Sequence, residues 1–135
     1  MIKAVPSIVM SRYDDFFLRV KRSKFRSSFH LKQKEKLYVQ EKGMDVIEKH
    51  AYDFILNRLS EPDNDGAQTP MKGHPVFVAQ HATGSCCRGC LEKWHRIPRG
   101  YPLTPVQISY IVSILMAWIE REMEINERNF KRSFL

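Results

Sequence analysis

The stretch TPVQISYIVSILMAWIERE, residues 104–122, decides the fold class. Thr104 stands where a helix N-cap is wanted. Pro105 follows at the first helical position, where a missing N–H does no harm, and Gln107 is placed to reach back to the cap. Ile108, Ile111, Val112, Leu115, Trp118 and Ile119 then recur at helical intervals, giving a wide apolar stripe on a helix expected from Pro105 to about Glu127. Fully burying each such side chain is worth roughly 1.5–3 kcal/mol, so this helix should carry the core. Its most apolar part, Ile111 to Ile119, is far shorter than the roughly 20 residues a bilayer span needs, and Glu120, Arg121 and Glu122 follow at once. It reads as a buried helix, with no membrane partner.

Working back along the chain, Leu31 to Lys42 is made mostly of good helix formers and ends at Gly43, a helix stop. Asp45 and Glu48 have capping-box spacing, and Ile47, Ala51, Phe54, Ile55 and Leu59 continue at helical intervals, so a second helix and a tight turn are expected. The Pro, Gly, Asp and Asn content of residues 61–75 predicts a loop. Val76 to Ala79 is too short an apolar run to settle between a strand and a buried extended piece. At the front, Tyr13 to Arg22 permits a short helix, and SKFRSSFHL reads as a connection with Ser28 as a helix cap. The expected organisation is an N-terminal extension at 1–22, one globular domain at 23–128 and a fraying tail at 129–135. The fold class is mainly α: a single small helical domain with a Cys/His metal-binding loop segment and little or no sheet.

Composition agrees with this. The 135 residues suit one domain, and 43% hydrophobic with 27% charged residues is a globular balance that excludes disorder along the whole length. The net charge of +7 is uneven: residues 1–36 carry +7, residues 37–70 carry −4, residues 71–104 carry +4, and the rest balance. Phosphate-bearing or acidic partners fit such a chain. Three closely spaced cysteines are not a framework of disulfides between distant loops, and MIKAVPSIVM lacks the basic n-region and apolar core of a secretory signal. A reducing, cytoplasmic location is the expectation.

The pointed chemistry lies between Gly73 and Gly100, in GHPVFVAQHATGSCCRGCLEKWHRIPRG. Cys87-Arg88-Gly89-Cys90 is a C-x-x-C whose short loop lets two thiolates converge on one cation. His81 before it and His95 after it would complete a Cys₂His₂ set for Zn²⁺, which takes four soft or borderline donors in a tetrahedron. Cys86, four before Cys90, can replace Cys87 if the stretch is helical, so the expected ligands are His81, Cys86, Cys87, Cys90 and His95 with the Cys86/Cys87 choice open. On a continuous helix Cys90 and His95 would lie about 140° apart, so the site requires Cys90 to precede the helix or the chain to bend. Core packing of small hydrophobes is the plainer reading of buried Cys, and Trp94 reads as core. The zinc-deaminase pattern is excluded, because neither histidine is followed by the shuttle Glu and Ser85 and Cys86, not Pro, precede Cys87. A metal-dependent or thiol-dependent, hydrolase-like enzyme is the competing class, with the loop from Asp63 to His74, including Asp65, offering an acid or base.

The basic run RVKRSKFRSSFHLKQKEK, residues 19–36, interleaves Lys21, Arg22, Lys24 and Arg26 with Phe25 and Phe29. Cations that neutralise phosphates beside rings that stack on bases suit single-stranded nucleic acid, and Arg88 adds charge near the cysteines. A solvated basic face is the simpler account of the same residues.

Taken together, SKFRSSFHL, EKGMD, NDGAQTPMKGHPVFVAQHAT, CCRGCLEKWHRIPRG and the following MAWIERE resemble the bacterial domain-of-unknown-function family DUF4186, over about Ser23 to Glu122. The resemblance implies no activity, substrate or catalytic residue.

Overall fold

The computed structural model describes the backbone of residues 4–62 and 68–134 and the side chains of residues 13–62 and 68–125. Among the described residues there are helices and no strand: α1 (Ala4–Lys21), α2 (Lys24–Ser27), α3 (Gln33–Lys42), α4 (Met44–Leu59), α5 (Pro75–Ala82), α6 (Arg88–His95) and α7 (Pro105–Phe134). No described helix is long and apolar enough to cross a membrane.

The start of α7 is the one its sequence dictates. Thr104 N–H donates to Gln107 Oε1 at 2.9 Å and Gln107 N–H donates to Thr104 Oγ1 at 3.1 Å, which satisfies two otherwise orphaned donors. All six residues of its apolar stripe are buried, and they meet Ile47, Ala51, Ile55 and Leu59 of α4 across the main core. The helix runs well past Glu127, because residues 120–132 hold good helix formers and no Gly or Pro. A smaller cluster joins Phe16 and Val20 of α1 to Ile114, so the N-terminal helix, longer than the stretch from Tyr13 expected of it, is packed on α7.

Local signals elsewhere were partly misleading. α4 starts at Met44 from Gly43, whose φ of +88° only glycine adopts easily, and no side-chain cap is made there, so Asp45 lies inside the helix. Ser23 is the N-cap of α2, its Oγ accepting from Arg26 N–H at 3.1 Å, while Ser28 is the C-cap of that helix and Lys32 stands at the N-cap of α3. The run at Val76 to Ala79 belongs to α5, a helix buried at every position. A helix covered on all sides has no polar face and hence no readable period. Pro75 at its first position and the His74 cap fix where it begins.

Candidate metal centre

Cys86, Cys87 and Cys90 come together at the first turn of α6. Their sulfurs all lie within 4.8 Å of one another, with Cys87 Sγ 3.1 Å and Cys86 Sγ 3.5 Å from Cys90 Sγ. Cys87 is the N-cap of α6, in extended backbone, and its Sγ accepts the Cys90 N–H at 3.3 Å. The approach to the helix is pinned to α5: Ser85 N–H donates to Gln80 O at 2.7 Å, Gln80 Nε2 donates to Ser85 O at 3.1 Å, and Thr69 Oγ1 donates to Cys86 O at 2.7 Å. Gly84 makes this turn with φ +68°, and a Cβ there would stand 2.6 Å from the Trp94 ring, so a larger residue is refused twice over. Both members of the Cys86/Cys87 pair are therefore in the cluster.

Arg26 completes the site from α2. Its guanidinium donates to His81 O at 2.8 Å, to Cys86 Sγ at 3.5 Å and to Cys90 Sγ at 3.2 Å. The residue is only 9% exposed. It also lies over the Phe25 and Trp94 rings, 5.0 and 6.0 Å from their centroids, and a guanidinium within hydrogen-bond reach of two thiols favours their ionised form. The ionisation pattern agrees. The Cys90 hydrogen bond, assisted by Arg26 against the opposing effect of burial, draws the Cys86 thiol from 9.0 down to about 7. Cys90 is pushed far up by donating to Cys86 and by burial, and Cys87 is raised chiefly by burial. Burial works against the Arg26 charge, but its bonds to Cys86 and Cys90 outweigh that and raise it.

The two histidines expected as ligands point elsewhere. His81 places Nε2 at 2.9 Å from Thr69 O and 3.2 Å from Pro70 O, with its ring stacked on Phe29. Cys90 does not precede α6 and the chain does not bend: both residues lie in one continuous helix, so His95, at its far end, is on a different face from Cys90 and the condition for a shared site is not met. Its Nε2 faces Thr83 O at 2.8 Å and its Nδ1 faces Tyr110 Oη at 2.9 Å, and burial holds its pKa below the usual value. Neither imidazole belongs to the thiol cluster. The Cys₂His₂ set is thus replaced by three sulfurs and a guanidinium, because both rings are held by hydrogen bonds to backbone carbonyls, and His95 also by the Tyr110 hydroxyl.

Two of the residues assigned to a nucleic-acid surface are also withdrawn. Arg26 is taken up by the sulfurs. Arg88 is 1% exposed and donates to the carbonyls of Leu59, Pro98 and Tyr101 at 3.1, 3.1 and 2.7 Å, tying the start of α6 to the end of α4 and to the loop between α6 and α7. Lys21, Arg22 and Lys24 are exposed. Asp63 and Asp65 lie outside the described residues. Sequence reasoning missed Arg26 as part of the thiol site, since a basic run does not say which member turns inward. It also passed over His50, which stands alone in the sequence.

A family model described as a domain of unknown function, DUF4186, matches residues 14–120. The chain belongs to that family. The matched region contains Arg26, the three cysteines and both histidines, and it reaches into α1, beyond the stretch that carried the resemblance. No solved structure matches the chain.

Proposed function

We propose that Cys86, Cys87 and Cys90 hold a single zinc ion as thiolates and that the protein is a small binding module organised around it. The observation that carries this reading is Arg26, a buried guanidinium directed at two sulfurs of a converged set of three. Three thiolates around a divalent ion leave one negative charge, which the guanidinium cancels. Without the ion, three thiolates beside one arginine would be a strongly unbalanced buried charge, and the thiols would have to keep their protons. Zinc fits the softness of the donor set.

Elemental analysis of the protein as isolated should give one zinc per chain, and cobalt substitution should give thiolate-to-metal charge-transfer absorption. Chelation should lower the melting temperature, since metal binding to a folded site is part of folding stability. Protein that retains no metal, takes up no cobalt and melts unchanged with chelator or added zinc would exclude the site.

Three protein donors leave a fourth position for water or a ligand, the arrangement of catalytic zinc, and this supports a metal-dependent hydrolase-like enzyme as the second reading. Perturbation of the cobalt spectrum by small anions favours it, and an indifferent spectrum favours the structural role. The module's partner on our reading is nucleic acid, engaged by Lys21, Arg22 and Lys24. Binding to single strands should weaken steeply with salt, and no binding at low salt removes the partner without touching the zinc site.

A further inference from the structure

At the start of α5, away from the cysteines, two histidines meet. His50 of α4 and His74 face each other with Nδ1 of the first 3.0 Å from Nε2 of the second. The Val76 N–H donates to His74 Nδ1 at 3.0 Å, which is the N-cap of α5. These two contacts fix every proton on the pair. Nδ1 of His74 accepts, so it is bare, and the single proton of the neutral ring must sit on Nε2. That proton is donated to His50 Nδ1, so the proton of His50 sits on its own Nε2. No further proton can be added in place. Protonating His50 sets N–H against N–H, and protonating His74 sets Nδ1–H against the Val76 N–H. The rings of Tyr38, Phe54 and Phe77 surround His74 at 5.2, 5.0 and 5.7 Å between centroids, so a charge there would also sit among apolar groups.

We propose that the His50–His74 contact is an acid-released latch, which holds the turn before α5 and the first turn of α5 onto the α3–α4 hairpin only while both imidazoles are neutral. The charged groups near it do not rescue an imidazolium. Lys32 at the N-cap of α3, Lys34, Glu35 and Glu41 of α3 and Lys72 of the turn line, with His74, a cavity of about 680 Å³. Glu35 is committed to the Lys32 N–H. Lys42 lies over the Tyr38 ring and Arg58 over the Phe77 ring, and on α4 Lys49 pairs with Asp53. Cations outnumber carboxylates in this set, and none of the described ion pairs involves either ring. Burial, and then the neighbouring His50, hold the His74 pKa down at about 4, in the same direction. Because His74 walls the cavity, opening the latch also reshapes that cavity. The inference is independent of any metal at the thiols.

Nitrogen-15 NMR of the imidazoles in the native chain tests it. His74 should be the Nε2–H tautomer and stay neutral to about pH 5. The Val76 amide should lose protection against exchange by up to about tenfold for each pH unit below about 6.5, as proton uptake drives opening. His74→Asn keeps an acceptor for the Val76 N–H without a titrating group, and there protection should stay level. A His74 found as the Nδ1–H tautomer, or one titrating like a free imidazole, overturns the latch. So does a Val76 amide in the native chain whose protection ignores acid. If H74N does not fold, the tautomer and exchange data on the native chain still decide.

Discussion

The two ends of α5 hold polar clusters of opposite kind. At its C-terminal end the sulfurs of Cys86, Cys87 and Cys90 gather, two of them within reach of the Arg26 guanidinium, an arrangement that favours charge. At its N-terminal end His50 and His74 interlock, and that arrangement makes sense only if charge is absent. Burial is similar in the two places, since Arg26 and His74 are each 9% exposed. What differs is the neighbour's demand. A guanidinium offers donors and no acceptor, so beside sulfur it favours the thiolate over the weakly accepting thiol, whereas the Val76 N–H calls for a bare imidazole nitrogen. Desolvation alone would neutralise both clusters; the hydrogen-bond inventory decides which one stays charged.

The largest effects should come from breaking the charged end. Cys90→Ser removes the sulfur that both other thiols approach, and bound zinc should fall from one per chain to none, with a melting temperature equal to that of chelated wild type. Arg26→Gln keeps the three sulfurs and removes the cancelling charge. Zinc affinity should then weaken about 10–100-fold, the range for partners that touch metal ligands without binding the metal, as read by competition with a chromophoric chelator. If R26Q binds zinc as tightly as wild type, the charge contrast between the two ends is wrong even though the metal site stands.

Next in size is Arg88→Ala. The Arg88 guanidinium donates to three carbonyls, one at the end of α4 and two in the loop between α6 and α7, and deleting it removes the donor from each. A loss of about 3–5 kcal/mol in unfolding free energy is expected from denaturant titration. Arg88 touches neither ring of the histidine pair, so the His74 tautomer should be unchanged in whatever fraction of R88A folds.

How much of this was legible in the sequence follows from how local each signal is. The start of α7 is written in Thr104, Pro105 and Gln107, of which Thr104 and Gln107 satisfy each other's backbone N–H, and the fold class follows from the stripe after them. The C-x-x-C is equally local, and Cys86 beside it is just as directly legible. The ring directions of His81 and His95 were not, because they are set by carbonyls of Thr69, Pro70 and Thr83 that only the folded chain brings near. Arg26 and Arg88 looked like surface cations for the same reason. α5 was hidden by its own burial, which erased the periodicity by which a helix is recognised.

Acid should separate the two ends without mutation. The His74 pKa is about 4 in the folded chain against 6.5 in an unfolded one, so between those values the unfolded chain binds more protons. Stability is therefore full above about 6.5 and falls as the pH drops towards 4. His95, also held below its usual value by burial, adds to the same fall. Thermal melts across this range with chelator present, so that proton competition for the zinc thiolates does not enter, should show the decline in wild type and a shallower one in His74→Asn, with His95 contributing to the remainder.

The smallest effect calibrates the rest. Thr104→Ala deletes the α7 cap, far in function from both clusters, and should lower stability by about 1 kcal/mol, within the usual 0.5–2 kcal/mol for a lost N-cap. The Thr104 N–H can still reach Gln107, so the helix should shift its start by no more than a turn. The variant tells a general loss of stability apart from a specific one. Zinc stoichiometry and the acid dependence of Val76 exchange should both match wild type at a lower overall stability. If a 1 kcal/mol loss at the α7 cap alone releases zinc or shifts the acid transition, then the two ends of α5 report global unfolding, and the opposition between a charged and an uncharged cluster loses its physical basis.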